Sequence, residues 1–154
     1  MEVTNVHMTA YFGLAYTMER LCESLQELNM DPEDTHGRTP LCRAAEKGFV
    51  EVVNFLLRVG KVDINFQDRH GRSPLSWAAK YGKARVVERL LQTTDIEINI
   101  RDESGLTPLA LAAKNGHDIA VGVLLKNTAI APDAGNVYSQ TLYLGLQETG
   151  MRRW

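Results

Sequence analysis

Four histidines, two cysteines and an Asp-x-His-Gly-Arg-Ser/Thr run that occurs twice are the residues of this chain with chemical potential. Asp68, His70 and Ser73 could be drawn as a nucleophilic triad, which would need a base within hydrogen-bond reach of the hydroxyl and an oxyanion site beside it. Each of the three has an equivalent elsewhere that a turn and a helix cap account for, so Ser73 is expected to engage backbone amides and no catalytic residue is assigned. His36 and His70 occupy the same site in successive units, which stacking holds roughly 8–10 Å apart. That is too far for one zinc, whose ligand nitrogens lie about 2 Å from the metal, so no metal is expected. Neither a Gly-x-Gly-x-x-Gly run after a strand nor a P-loop is present, and no cofactor is expected. Cys22 falls on the buried side of a helix and Cys42 follows Pro40-Leu41, positions that suit buried thiols in a reducing compartment rather than a disulfide.

The elements that position these residues recur at a fixed interval of 34 residues. Asp34, Asp68 and Asp102 share one position, then Asn136; Gly37, Gly71 and Gly105 share another, then Ser139; Thr39, Ser73, Thr107 and Thr141 a third. The apolar rows keep step: Leu41, Leu75, Leu109; Ala45, Ala79, Ala113; Leu56, Leu90, Leu124; Leu57, Leu91, Leu125. A period of this length marks a repeat architecture. Within the unit centred on 68–99, Asp68 and Gly71 suit a tight turn, the carboxylate bonding backbone amides and glycine supplying positive φ. Ser73 caps a helix whose first residue is Pro74. Leu75, Ala78 and Ala79 form its apolar stripe, and Gly82 ends it. A second helix buries Val86, Val87, Leu90 and Leu91 and leaves Lys83, Arg85, Glu88 and Arg89 in water. Helices this short are marginal alone, so the pairs must bury their stripes against one another. Val62–Asn65 and Ile96–Asn99 alternate in polarity and predict extended hairpin arms between pairs.

The runs Thr39-Pro-Leu-Cys-Arg-Ala-Ala-Glu-Lys-Gly48, Ser73-Pro-Leu-Ser-Trp-Ala-Ala-Lys-Tyr-Gly82 and Thr107-Pro-Leu-Ala-Leu-Ala-Ala-Lys-Asn-Gly116 resemble the ankyrin repeat, and the resemblance covers nearly the whole chain. It implies an all-α solenoid of stacked antiparallel helix pairs joined by short β-hairpin-like loops. One departure is that Cys42, Ser76 and Ala110 stand where the family usually has a hydrogen-bonding histidine, which should weaken that network. His117, directly after Gly116, sits where the family often carries a structural histidine.

Residues 1–154 are expected to form one domain, with an altered first unit at 4–33, regular units at 34–67, 68–101 and 102–135, and a partial fifth at 136–154. Glu19, Glu23 and Glu27 give the first unit an acidic solvent ridge. In the fourth unit Pro132 replaces the isoleucine of the arm and Gly122 interrupts the second helix. The partial fifth unit suggests a piece of a longer array. Without an apolar run near 18 residues or a basic leader before an apolar core, neither a membrane span nor export is expected, and the location expected is intracellular, cytoplasmic rather than nuclear.

Charge is uneven: residues 1–34 carry net −6 and residues 35–154 net +4, within a total of −2. By the resemblance, the turn tips and exposed side of the first helices form a concave recognition surface. Carried over by position, it comprises Thr35, His36, Arg38, Glu46 and Lys47; Arg69, His70, Arg72, Lys80 and Tyr81; Arg101, Glu103, Ser104, Leu106, Lys114 and Asn115. Trp77 beside them is either an aromatic anchor or inter-repeat packing, with packing preferred. Arginines and aromatics on a groove are common interface anchors, so the expected function is a monomeric protein-binding module taking an acidic or phosphorylated segment. The alternative is a regulatory module that masks the active site of an enzyme. Nucleic acid is not expected, because phosphate binding needs a larger positive field than a net −2 chain provides.

Overall fold

The computed structural model describes residues 31–127 together with Ala10 and Tyr16. The ridge Glu19, Glu23 and Glu27, Cys22, Pro132, most of the unit at 4–33 and the unit at 136–154 lie outside the described residues. Six helices follow in order: α1 Pro40–Lys47, α2 Val50–Val59, α3 Pro74–Lys80, α4 Ala84–Leu91, α5 Pro108–Lys114 and α6 Asp118–Leu125.

Each first helix starts for the same local reason. The side chains of Thr39, Ser73 and Thr107 accept from the amides of Cys42, Ser76 and Ala110, and a proline fills the first helical position. The side-chain oxygen satisfies one orphan amide and proline removes another. Each ends at a glycine in the left-handed region. At Gly82 that conformation coincides with a close approach: φ is +64°, and a Cβ there would lie 2.6 Å from the His117 ring. The histidine uses that space to bond the Lys80 carbonyl at 2.9 Å, tying the third unit to the fourth.

The helices form two layers, α1–α3–α5 and α2–α4–α6, with each first helix packed on the second helix of its own pair. Between the layers, Leu56, Leu90 and Leu124 are all fully buried, as are Leu41 and Leu75, with Leu109 nearly so. Burying a leucine side chain contributes about 1.5–3 kcal/mol, so every pair draws much of its stability from its neighbours. The row Leu57, Leu91 and Leu125 is only half-buried, at the margin of this core. Ala10 is buried in the same core. Arg89, expected in water, is half-buried and donates to Asn54 Oδ1 at 2.7 Å, linking α4 to α2. Helix α6 continues through Gly122 rather than breaking there.

The connecting loops depart from the expected hairpin arms. Among the described residues there is no strand. Val62–Asn65 bends instead of extending, because the Asp63 side chain accepts the Asn65 amide at 2.9 Å and closes a local turn. The units are stitched here by a side-chain ladder: the Asp63 amide donates to the Asp31 carboxylate, and the Glu97 amide donates to Asn65 Oδ1 at 2.9 Å. Asp31, Asn65 and Asn99 stand at the repeat interval. At the other end of the unit, the turn tips are hairpin-like. The Asp68 amide bonds the Arg72 carbonyl at 3.1 Å and the Gly71 amide the Asp68 carbonyl at 2.8 Å, while the Glu103 amide reaches back to the His70 carbonyl at 3.0 Å.

Candidate protein-interaction face

Three buried aspartates organise the tips. One oxygen of Asp34 accepts the amides of His36 and Arg38, one of Asp68 those of His70 and Arg72, and one of Asp102 those of Ser104 and Leu106, all between 2.7 and 3.0 Å. The second oxygen finds a different donor each time. In the second unit it takes the Arg43 guanidinium, nine residues on. The third unit has Trp77 at that position, whose Nε1 donates to Asp68 at 2.9 Å. In the fourth the position holds Leu111, which has no donor, and Asp102 instead takes Arg72 Nε of the preceding unit at 3.2 Å.

The same pairs account for the three residues that could have been a triad. Asp68 is saturated by two amides and an indole, and Ser73 Oγ accepts the Ser76 amide at 3.2 Å. His70 is exposed, with Nδ1 4.0 Å from Glu103. His36 bonds Thr35 at 3.1 Å. Cys42 is fully buried, and burial pushes its thiol up to about 12, so the thiolate is absent at neutral pH.

Trp77 is packed and 4% exposed. Tyr81 stacks on it at 5.8 Å and an interplanar angle of 10°. Three cations surround the indole: Arg38 and Arg72 each lie 5.1 Å from its centroid and Lys80 Nζ lies 4.9 Å away. Contacts of this kind are worth about 0.5–2 kcal/mol each, more as water is excluded. Arg38 also bonds Glu46 at 3.1 Å, and Arg43 reaches the same carboxylate at 3.4 Å. Burial foremost, then the neighbouring Arg72, holds the Lys80 ammonium below the ordinary lysine value, opposed by the carboxylates of Glu46 and Asp102.

This geometry divides the residues expected at a recognition surface. Arg69, His70, Tyr81, Arg101, Glu103, Lys114 and Asn115 are exposed, as are Thr35, His36 and Ser104. Arg38, Glu46, Lys47, Arg72 and Lys80 are half-buried. Leu106 is corrected outright: it is 3% exposed and clusters with Ala110 and Leu111, an apolar side chain folded under the tip rather than displayed on it. Arg38 and Arg72 are corrected in role. Their guanidiniums bind buried carboxylates and cover Trp77, so reversing their charge would disturb the fold as well as any contact. Arg43 and the Asp31/Asn65 ladder went unnoticed in the sequence. The ladder had a signal, the recurrence of an amide or carboxylate at one register; Arg43 had none, because its equivalents are Trp77 and Leu111.

Among the described residues, no three His, Cys, Asp or Glu side chains group as a metal site, and no helix is long and apolar enough to cross a membrane. No curated protein matches the chain. A family model described as ankyrin repeats (3 copies) matches residues 2–68 and 57–136. With recurrent tips, capped helix pairs and a match over most of its length, the chain belongs to the ankyrin repeat family, whose members are generally non-catalytic protein–protein interaction modules.

Proposed function

We propose that the face made by the turn tips and the exposed ends of the first helices binds one partner protein through an acidic or phosphorylated segment. The observation that carries this reading is the division of labour among the side chains. Arg38, Arg43 and Arg72 neutralise buried carboxylates and lock the tips, while Arg69, His70, Tyr81, Arg101, Glu103, Lys114 and Asn115 stand outward at intervals set by that lock. A surface held in advance costs little ordering entropy on binding. Tyrosine and arginine side chains fixed on it are the residue types that anchor interfaces. The module acts as a monomer inside the cell, in the cytoplasm rather than the nucleus; the free, buried Cys42 thiol is in keeping with a reducing compartment of either kind.

The test is comparative capture. The full chain, a face variant carrying Arg69→Glu, His70→Glu and Lys114→Glu, and a control carrying Arg85→Glu and Glu88→Lys on the outer side of α4 are immobilised and exposed to cell extract. The reading requires that proteins retained by the native chain and the control be lost from the face variant, with melting temperatures close to one another. Equal retention by all three would refute it.

A further inference from the structure

Lys80 differs from the other cations around Trp77. Arg38 is paired with Asp34 and Glu46, and Arg72 with Asp102. Among the described residues, no carboxylate lies within ion-pair distance of the Lys80 ammonium. The carboxylates that act on it, Glu46 and Asp102, are committed: Glu46 to two guanidiniums, and Asp102 to Arg72 and two amides. A half-buried cation beside other cations is under-compensated, and a desolvated ammonium is stabilised by an anion in contact with it. The lowered affinity of Lys80 for its proton reports the same imbalance.

The surroundings of Lys80 are also distinctive within the array. Its Nζ lies 4.9 Å from the Trp77 centroid and 5.4 Å from that of Tyr81, so the two stacked rings form a shelf under the ammonium. One interval earlier the position holds Glu46, already clamped by arginines; one interval later Lys114 has Leu111 and Asn115 where Lys80 has Trp77 and Tyr81. Tyr81 is 43% exposed, which leaves the edge of the shelf open to a visiting chain.

We propose that Lys80, with Tyr81 beside it, seats one anionic side chain of the partner segment, a carboxylate or a phosphate, as the anchoring contact of the recognition face. The assignment rests on the proposed function and deepens it by naming the contact. The anion gives the ammonium the contact partner that Glu46 and Asp102, bound to arginines, do not provide, and the aromatic shelf keeps the ammonium from relaxing into bulk water.

The test uses the full chain carrying Trp154→Phe, so that Trp77 is its single indole, titrated at low salt with capped octapeptides alternating alanine with glutamate, phosphoserine or glutamine. A saturable change in Trp77 fluorescence is expected with the glutamate or the phosphoserine peptide and none with the glutamine peptide; which anion binds more tightly identifies the partner's chemistry. Lys80→Met should weaken binding about tenfold or more, the worth of a charge-assisted bond. Lys80→Arg should retain it, and both variants should remain folded at the titration temperature by circular dichroism. Equal affinity in Lys80→Met, or no saturable response to either anionic peptide at millimolar concentration, overturns the assignment. If Lys80→Met binds normally while Arg69→Glu with His70→Glu abolishes the response, the face stands and Lys80 is removed from it. If binding is indifferent to all of these changes, both readings fall.

Discussion

Asp31 and Asp34 titrate in opposite directions three residues apart. Burial alone would raise Asp34, but the Arg38 and His36 amides and the Arg43 guanidinium together hold it below its ordinary value of 3.8. Its stabilising contribution is therefore present above pH 3.8 and is lost as the pH falls through the lower folded value. Asp31 is raised above 3.8, by burial foremost and by the Asp63 carboxylate, with the Asp63 amide opposing. A raised carboxylate favours folding only below its unfolded value, so at neutral pH its charge is a cost. Asp31→Asn, the residue type at positions 65 and 99, keeps the acceptor for the Asp63 amide and removes the charge. It should raise the urea midpoint at pH 7, with the gain shrinking as the pH falls through the raised folded value and gone below 3.8; a lower midpoint at pH 7 would contradict the assignment. Trp77→Phe removes the donor to a buried Asp68 oxygen and should cost about 1–3 kcal/mol in thermal unfolding. The amide-binding half of each aspartate was legible from the Asp-to-Gly spacing. The other half was not, because its donor changes from Arg43 to Trp77 to an arginine of the preceding unit, and periodicity registers only what repeats.

Elements were read closely where one residue type dictates one geometry. Hydroxyl, proline and closing glycine placed α1, α3 and α5, since each satisfies or removes a specific orphan group at a helix end. Alternation misled at Val62–Asn65, because an aspartate two residues before Asn65 offers its amide a local partner that a strand would have to forgo. Gly122 misled in the other direction: α6 is continuous, its ends fixed by packing rather than by propensity. Among the described residues, and apart from the helix's own backbone and the adjoining residues, no atom lies within 4 Å of a Cβ built at Gly122. Gly122→Ala should therefore stabilise the chain by about 0.5–1 kcal/mol through helix propensity, measured by chemical denaturation. A loss of stability would contradict an open site at Gly122.

For the whole molecule, the helical stack and its buried rows followed from one interval, whereas the recognition face was legible only as a list of positions. Spacing says which residues share a register; it does not say that Arg38 and Arg72 are spent on buried carboxylates, or that Leu106 turns inward. Arg72 meets a carboxylate of the next unit, Arg38 meets Asp34 and Glu46 of its own, and Leu106 folds onto Ala110 and Leu111; register alone shows none of these contacts. The same interdependence is the central claim: each helix pair is stable because its neighbours complete its core, and the face is rigid for that reason. Leu90, fully buried in α4 between α2 and α6, tests this most directly. Leu90→Ala should lower unfolding free energy by about 2–5 kcal/mol, and amide exchange should speed up in α2 and α6 as well as in α4. An unchanged denaturation midpoint, or faster exchange confined to α4, would contradict the claim.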